Sequence, residues 1–201
     1  MKIKTLMIPD PIIITEKASV EEAIEVMKSN AIRHLPVVSK ESVLKGFVTL
    51  ADMKSGLIPS MIAGVSLQDL MIHDPITVGP DDDIEIAAQL FYKHKIGGMP
   101  VFQDGRLVGI ITESDILRAF IDMMGLLTAS SRIDLVVGDE PGSFRNVLQI
   151  INDNGGDIIN VGMTAQEPSK RVYYFRLSAC NTDVIKKALE KEGFEVLDAM
   201  D

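Results

Sequence analysis

The stretch Gly109-Ile110-Ile111-Thr112-Glu113-Ser114-Asp115 decides the fold, together with its earlier counterpart Gly46-Phe47-Val48-Thr49-Leu50-Ala51-Asp52. Each stretch predicts a short buried strand that ends on a Thr, followed by a turn and a helix that starts with an Asp three residues later. Thr and Asp are common capping residues, so one such stretch alone would indicate only a helix cap. Because the stretch occurs twice within a longer repeat, it indicates a duplicated unit.

The repeat keeps its register over a whole supersecondary element. At an offset of 64 residues, the matches are Leu6-Met7 with Leu70-Met71, Asp10-Pro11-Ile12 with Asp74-Pro75-Ile76, Glu21 with Glu85, Ala23 with Ala87, Ile32 with Ile96, and Pro36-Val37 with Pro100-Val101. The offset drops to 63 at Gly46/Gly109, Thr49/Thr112 and Asp52/Asp115. One residue is therefore lost in the intervening turn, where a length change is tolerated best. Such a register indicates an internal duplication.

The composition is that of an aliphatic globular protein with an acidic balance. The 201 residues are 46% hydrophobic, with three Tyr, seven Phe and no Trp, and the formal net charge is −9. The length allows one to three small domains, and the charge disfavours nucleic acid or an anionic membrane as the main partner. The single Cys180 cannot form an internal disulfide, which predicts a reducing compartment. Because Pro9, Asp10 and Pro11 interrupt any signal-peptide core and no apolar run reaches about 18 residues, we expect a cytoplasmic protein without a membrane span.

Within each copy, the patterns predict the element order β-α-β-β-α. In the first copy the predicted elements are a strand at Ile12–Ile14, a helix capped by Ser19 with Glu22 completing a capping box, strands at Val37-Val38 and Leu44–Thr49, and a helix opened by Asp52. In the second copy they are a strand at Ile76–Val78, a helix from Ile84 to about His94 capped by Asp82 or Asp83, a loop at Gly97-Gly98-Met99-Pro100, a strand at Val101-Phe102, a hairpin turn at Asp104-Gly105, and a helix from Asp115 to Gly125. Pro59 and the glycines between Gly56 and Gly64 put the boundary between the copies there.

These motifs resemble the cystathionine β-synthase (CBS) domain. The resemblance rests on Asp-Pro-Ile, the capped helix, Ile-x-x-x-Pro-Val and Gly-x-x-Thr-x-x-Asp, each present in both copies at matching spacing. It covers roughly residues 1–125 and implies an α/β (α+β) fold with CBS domains at 1–60 and 61–125. Two such copies resemble a CBS pair, or Bateman module, which packs around a pseudo-twofold axis, holds adenosine-containing ligands in two clefts and often dimerises.

The resemblance implies which residues line those clefts. A carboxylate accepts two hydrogen bonds from a ribose diol, which favours Asp115 and then Asp52. The implied adenine contacts are Ile12, Ile13, Ile14 and Ile32 in the first copy, and Ile76, Thr77, Val78 and Ile96 in the second. The same motifs add Leu35, Pro36 and Thr49, and Gly98, Met99, Pro100, Thr112 and Ser114. Phosphate candidates are Arg33, Lys95 and Arg118, although each is also explained as a solvated charge.

The two implied sites are unequal. The second copy has Thr77, the Gly97-Gly98 pair and Ser114 beside Asp115, which would let a ligand approach the backbone closely. The first copy has Ile13 and Arg33-His34 at the corresponding positions. We interpret His34, His73 and His94 as structural histidines, and the sequence contains no metal-ligand cluster.

The last seventy residues predict a separate domain after a linker at 126–131. The pattern predicts β-α-β-β-α-β over 132–201, the ferredoxin-like arrangement. Its predicted elements are a strand at Arg132–Val137, a helix capped by Ser143, strands at Asp157–Met163 and Arg171–Ser178, a helix capped by Asn181 or Thr182, and a strand at Phe194–Leu197. The turn before the first helix and the return after Gly155-Gly156 resemble an ACT domain, a regulatory fold that often senses amino acids. The candidate ligand residues are Asp139, Glu140, Pro141, Gly142, Ser143, Asp157 and Ile158.

Two readings of the ACT-like segment stay open. Asp157 stands where family members that bind amino acids usually have Asn, and a second carboxylate would repel an amino-acid carboxylate. A domain that only pairs subunits is therefore at least as consistent with the residues. A CBS pair followed by an ACT domain resembles the architecture of the acetoin-utilisation (AcuB-like) regulatory proteins.

We weigh a ligand sensor against a structural module and an enzyme. The sensor hypothesis is a regulatory protein, expected to be a homodimer with a regulated partner enzyme, that binds AMP, ADP, ATP or S-adenosylmethionine. The alternative is an oligomerisation module without a nucleotide ligand, but the ribose-type Asp in both copies favours the sensor. The sequence offers no nucleophile–base pair, metal cluster or Walker-type loop, and Asp81-Asp82-Asp83 is explained by the helix dipole. We therefore expect no catalytic activity and no catalytic cofactor.

Overall fold

The computed structural model describes residues 1–40, 43–55, 65–167 and 170–201. The chain divides into two compact units, Met1–Arg118 and Ala119–Asp201. The predicted boundary between the copies, Gly56 to Gly64, lies outside the described residues.

The first repeat builds its sheet from short strands and one amphipathic helix. Its elements are β1 (Ile8–Pro9), β2 (Ile14–Thr15), α1 (Val20–Ser29), β3 (His34–Val38), β4 (Leu44–Thr49) and α2 (Leu50–Ser55). β2 is parallel to β3, and β3 is antiparallel to β4. The predicted capping box is confirmed, because the Glu22 amide donates to Ser19 Oγ at 3.1 Å and the Ser19 amide donates to Glu22 Oε2 at 2.8 Å. The predicted strand at Ile12–Ile14 is shorter in the structure, since only Ile14 pairs with β3.

The second repeat follows the same plan. Its elements are α3 (Leu67–Leu70), α4 (Ile84–His94), β5 (Gly98–Gln103), β6 (Arg106–Thr112) and α5 (Glu113–Met123). The hairpin turn at Asp104-Gly105 is confirmed, because Gln103 pairs with Arg106. The predicted strand at Ile76–Val78 reduces to one bridge between Val78 and Val101. Asp83 is the N-cap residue of α4, one of the two predicted positions, but its side chain makes no capping hydrogen bond and forms an ion pair with Lys2 at 3.0 Å. Asp82 Oδ2 accepts from the Gly79 amide.

The repeats exchange their leading segments. Ile3 and Leu67 are equivalent at the offset of 64, and both are fully buried. Ile3 lies in the core of the second repeat with Phe91 and Ile111, whereas Leu67 lies in the core of the first. Likewise, β1 pairs with β6 of the second repeat, and Ile72 bridges Phe47 of the first. The predicted ranges 1–60 and 61–125 therefore divide the chain by sequence, while each core also contains the leading segment of the other repeat.

The second unit has the element order that the sequence predicts. Its elements are β7 (Ser131–Gly138), α6 (Ser143–Asp153), β8 (Ile158–Glu167), β9 (Lys170–Leu177), α7 (Thr182–Lys191) and β10 (Glu195–Met200). The sheet order is β10-β7-β9-β8 with antiparallel neighbours, the split β-α-β arrangement. Asn181 caps α7 as predicted, but α6 is preceded by Gly142 at φ 95° and Ser143 is its first residue. β7 starts at Ser131, within the predicted linker at 126–131.

The core of this unit lies between the sheet and its helices. Its fully buried members are Ile133, Leu135, Val147, Ile151, Phe175, Leu177, Ile185 and Leu189. This unit also includes the end of α5 and the segment after it, where Asn160 donates to the Met123 carbonyl at 2.7 Å and Arg176 donates to Ser130 Oγ at 2.8 Å.

Candidate functional site

Each repeat holds one carboxylate in a fixed orientation at the end of a strand. The Thr112 amide and hydroxyl both donate to Asp115 Oδ2, at 2.8 and 2.7 Å. Thr49 makes the same two bonds to Asp52 Oδ2, at 3.0 and 2.7 Å. In the described part of the chain, Oδ1 of neither Asp has a hydrogen-bond partner. Each Asp therefore presents one oxygen as an oriented acceptor, while the Thr proton that could have reached a ligand is used to hold the carboxylate.

The first cleft, which we name the Asp115 cleft, has a volume of about 290 Å³. It is lined by Ile8, Pro11, Ile12, Ala31, Ile32, Arg33, His34, Ile110, Thr112, Ser114 and Asp115. Its wall is mostly aliphatic, and the polar groups are concentrated around Asp115 and Arg33. This combination of apolar walls and a few oriented polar groups is typical of small-molecule sites.

The second cleft, the Asp52 cleft, has a volume of about 530 Å³. It is lined by Arg33, His34, Phe47, Thr49, Leu50, Ala51, Asp52, Ile72, Lys95, Ile96, Gly97, Gly98 and Glu113. Most of these positions are the repeat counterparts of the first cleft: Ile72 for Ile8, Ile96 for Ile32, Thr49 for Thr112 and Asp52 for Asp115. The two clefts are therefore pseudo-symmetric.

Each cleft is built across the two repeats, contrary to the assignment of adenine and ribose contacts to one copy. Asp115 of the second repeat faces Ile12 and Ile32 of the first. Asp52 of the first repeat faces Ile96 and Gly98 of the second. The predicted advantage of the second copy is divided accordingly, because Gly97 and Gly98 line the Asp52 cleft whereas Ser114 lines the Asp115 cleft. The sequence offset identifies equivalent residues, but it does not reveal that each cleft combines the Asp of one repeat with aliphatic residues of the other.

Several predicted site residues line neither cleft. Ile14, Leu35, Pro36, Val78, Met99 and Pro100 are buried, and Ile13, Ile76, Thr77 and Arg118 also lie outside both linings. Leu35 and Pro36, like Met99 and Pro100, are adjacent and point to opposite faces of a strand, so both faces of β3 and β5 are covered at these positions. Conversely, both linings contain aliphatic or aromatic residues that the sequence reasoning missed, namely Ile8 and Ile110 and their counterparts Ile72 and Phe47. Their recurrence at the repeat offset was the signal that could have identified them.

His34, interpreted from the sequence as a structural histidine, lines both clefts. Its ring stacks on Phe47 with centroids 5.9 Å apart. Burial lowers the pKa of His34 below its ordinary value of 6.5, and the neighbouring Arg33 lowers it further, whereas Asp52 acts in the opposite direction. The ring is therefore neutral at physiological pH.

The cationic groups are distributed unequally. Arg33 lines both clefts, and Lys95 lines only the Asp52 cleft. The Lys95 ammonium lies 4.2 Å from the ring centroid of Tyr92, an exposed residue that is not part of the cleft lining. Glu113 adds a carboxylate to the Asp52 cleft. Of the three phosphate candidates, Arg33 and Lys95 therefore line a cleft and Arg118 does not.

The candidate residues of the second unit lie at opposite ends of its sheet. Asp139, Glu140 and Gly142 line a groove of about 600 Å³ with Arg171 and the aromatic pair Phe144 and Tyr173, and Asp139 forms an ion pair with Arg171 at 3.3 Å. Ser143 lines a neighbouring cavity, and Pro141 is exposed. Asp157 and Ile158 lie at the other end, where Ile158 and Ser131 both pair with Leu177. Seven residue steps along β7 separate the ends by roughly 23 Å.

The described ranges contain neither a candidate metal-ligand group nor a candidate membrane-spanning helix. No group of three or more His, Cys, Asp or Glu there could hold a metal ion. No helix there is long and apolar enough to cross a membrane.

Comparison with known proteins identifies the first unit. The CBS domain family profile matches residues 3–58 and 67–122, more than half of the chain. Homoserine O-acetyltransferase from Methanohalobium evestigatum is 35% identical over 117 residues, which are 58% of this chain and 23% of that protein. The matched region thus spans about a quarter of the length of this relative and of the homoserine O-acetyltransferase from Methanocorpusculum labreanum.

Solved structures match the same region. The CBS domain pair of protein MJ0100, in complex with 5′-methylthioadenosine and S-adenosyl-L-methionine, matches with a TM-score of 0.56 and 30% identity over 60% of this chain and 95% of that chain. A Vibrio cholerae protein named as an acetoin utilization protein (AcuB) matches with a TM-score of 0.56 and 31% identity over 63% and 94%. CBSX2 in complex with AMP matches with a TM-score of 0.54 and 27% identity over 60% and 96%. The chain therefore belongs to the CBS domain family and carries two CBS domains in tandem.

Proposed function

We propose that this protein is a non-catalytic sensor that binds an adenosyl ligand in the Asp115 and Asp52 clefts. The observation that carries the proposal is the fixed carboxylate in each cleft. Thr112 holds one oxygen of Asp115, which leaves the other as an acceptor for a ribose diol beside an aliphatic wall. The similar CBS pairs of MJ0100 and CBSX2, which hold adenosyl ligands, support the same chemistry here.

The remaining parts of the ligand follow from the Asp115 cleft. Ile12 and Ile32 offer apolar contact to the adenine ring, and Ser114 and Arg33 lie where a charged group attached to the ribose would be held. AMP, ADP, ATP and S-adenosylmethionine all carry an anionic group that Arg33 could pair with. One arginine shared between two clefts favours ligands with a single small anionic group, so we rank AMP, with one phosphate, and S-adenosylmethionine, with one carboxylate, before ATP.

For the second unit we propose an ACT-like pairing role. The β-α-β-β-α-β order and the antiparallel sheet support a ferredoxin-like domain of this kind. Because the Asp139 turn and Asp157 lie at opposite ends of one sheet, an amino acid touching both would need a second copy of the chain. In the sensor hypothesis, the protein is a homodimer, and ligand binding in the clefts changes how it acts on a regulated enzyme. An assembly module without a ligand is the alternative.

The test is a ligand-dependent stability measurement on nucleotide-free protein. We expect AMP or S-adenosylmethionine to raise the melting temperature with concentration, with a stabilisation of about 2.7 kcal/mol at a hundred times Kd. Asp115→Asn keeps the bonds from Thr112 but removes the charged acceptor, and should weaken binding to the Asp115 cleft by about 10- to 100-fold. Asp122→Ala, an exposed residue of the same helix α5, is the matched control and should leave binding unchanged. If no adenosyl compound shifts the melting temperature, the assembly module becomes the better explanation.

A further inference from the structure

The clefts share a wall that is contributed by only one repeat. Arg33 and His34 line both clefts, whereas their counterparts Gly97 and Gly98 line only the Asp52 cleft. The pseudo-symmetry of the pair is therefore broken at this wall. A side chain that faces two sites at once can respond to either of them.

The His34 ring fills the space left by the two glycines. A Cβ atom built on Gly98 would lie 2.9 Å from Cγ and Cδ2 of His34, and one on Gly97 would lie 3.0 Å from Nε2. The ring thus packs directly on this backbone, with Phe47 stacked nearby at 5.9 Å between centroids. In this position it covers the backbone that a ligand in the Asp52 cleft would otherwise approach.

We propose that His34 couples the two clefts negatively, so that an adenosyl ligand in one lowers the affinity of the other. This inference rests on the proposed function. A ligand that contacts the Gly97-Gly98 backbone must displace the ring, and the ring also borders the Asp115 cleft. Because packed side chains occupy discrete positions, room made for one ligand is taken from the other.

For ligands that carry a phosphate, electrostatics should also lower the affinity of one cleft when the other is occupied. A single guanidinium, that of Arg33, borders both clefts, so a phosphate held in one leaves the other with less compensation. The charged groups that face His34 are Arg33, Asp52 and Glu113, which lies close to the same glycines. An uncharged ligand removes the Arg33 contribution and isolates that of the ring.

The test is isothermal titration calorimetry of the full chain with AMP and with uncharged 5′-methylthioadenosine. Asp52→Asn and Asp115→Asn give the affinity of each cleft while the other is weakened. In the wild-type protein, a cleft should bind its ligand about 5- to 150-fold more weakly when the other cleft is occupied than when the other cleft is empty. In His34→Gly, which introduces the residue of the second repeat, this ratio for 5′-methylthioadenosine should fall to about twofold or less.

A second variant protects the test against a folding defect in His34→Gly. Gly98→Ala puts a Cβ within 2.9 Å of the ring and should push it towards the Asp115 cleft, which Gly98 does not line. In the Asp52→Asn background, Gly98→Ala should therefore weaken ligand binding to the Asp115 cleft. An unchanged affinity there would overturn the proposal.

The remaining outcomes are also decisive. Equal and independent sites in the wild type, or the same ratio in His34→Gly, would overturn the coupling while leaving ligand sensing intact. One saturable site in the wild type and two in His34→Gly would support the strongest form of the coupling, in which a ligand in one cleft prevents binding to the other. One site in both proteins would overturn the coupling. Absence of binding to every variant would refute the proposed function itself, and the coupling with it.

Discussion

His34 packs against Gly98, which occupies the position equivalent to His34 in the second repeat. The two are related by the offset of 64 residues, and a Cβ on Gly98 would lie 2.9 Å from the imidazole ring. The duplicated halves are thus complementary and not interchangeable at this point. A large side chain in one copy requires the absence of a side chain in the other.

His34 should make the stability of the first unit depend on pH. Burial lowers its pKa in the folded state, so the unfolded chain binds the proton more readily. The stabilisation is fully present above the ordinary pKa of 6.5 and is lost as the pH falls through the lower pKa of the folded state. Urea unfolding between about pH 8 and pH 5 should therefore show a decline that His34→Gln reduces.

The exposed His94 provides the control for this prediction. His94→Gln should leave the decline unchanged, because that side chain is exposed on α4. The lowered pKa values of Asp69, Asp81 and Asp201 act only near or below their ordinary value of 3.8, outside this range. An identical decline in the free energy of unfolding in wild type and His34→Gln would show that protonation of His34 does not cause the decline.

The exchange of leading segments predicts which repeat a core mutation destabilises. Ile3→Ala should cost about 2–5 kcal/mol, because Ile3 is fully buried. Its effect should appear in the second repeat, whose core contains Ile3, although Ile3 precedes the first. Hydrogen exchange should show lost protection in β5 and β6 for Ile3→Ala, and in β3 and β4 for Leu67→Ala.

The exposed Ile86 is the matched control for the leading segments. Ile86→Ala removes the same atoms from a side chain that is 43% exposed and should change stability by about 0.5 kcal/mol or less. If Ile3→Ala instead loosened β3 and β4, the exchange of segments would be wrong.

The glycine of the Gly-x-x-Thr-x-x-Asp motif should be required for packing. A Cβ on Gly109 would lie 2.8 Å from Met7 Sδ and 3.0 Å from the Ile8 carbonyl oxygen, which belongs to paired backbone. Gly109→Ala should therefore destabilise the protein by about 1–3 kcal/mol. Gly138→Ala, where a Cβ meets nothing within 4 Å, should be nearly neutral in the same denaturation experiment. Equal losses in the two variants would contradict this account.

The sequence predicted local features better than the relationships between the repeats. The Ser19–Glu22 capping box and the Asp104-Gly105 turn depend on residues close in sequence, and both are confirmed. The crosswise clefts depend on which copy supplies each neighbour. A repeat offset gives equivalent residues but is equally compatible with contacts within a copy or between copies. Burial of Ile3 in the second core resolves this ambiguity, and no local pattern encodes it.

The place of His34 between the clefts likewise depends on a relationship between the repeats. A histidine before Leu35-Pro36 reads as structural when only its own strand is considered. Its position between the clefts depends on the glycines 64 residues later, which leave room for the ring. Comparing the side-chain sizes at equivalent positions would have revealed this complementarity.

The final prediction concerns a buried ion pair in the second unit. Asp134 is 5% exposed and accepts from Arg132 Nη2 at 2.8 Å, while its Oδ1 has no partner in the described part of the chain. Burial raises the pKa of Asp134 despite the nearby guanidinium of Arg132. Arg132→Met leaves this carboxylate with only the weaker attraction of Arg176 and should cost about 1–3 kcal/mol at neutral pH, since Arg132 is 37% exposed and solvent screens part of its charge.

The exposed pair of Arg171 and Asp139, 3.3 Å apart at the other end of the same sheet, is the matched control. Arg171→Met should cost about 0–1 kcal/mol, since surface ion pairs contribute little. Because the folded pKa of Asp134 is raised, the folded state takes up its proton first, and the loss in Arg132→Met should shrink as the pH falls through that pKa. Urea unfolding of both variants at neutral and acidic pH measures the two effects. Similar losses in both variants, or a loss in Arg132→Met that does not shrink with acidification, would show that Asp134 does not depend on Arg132 for its charge.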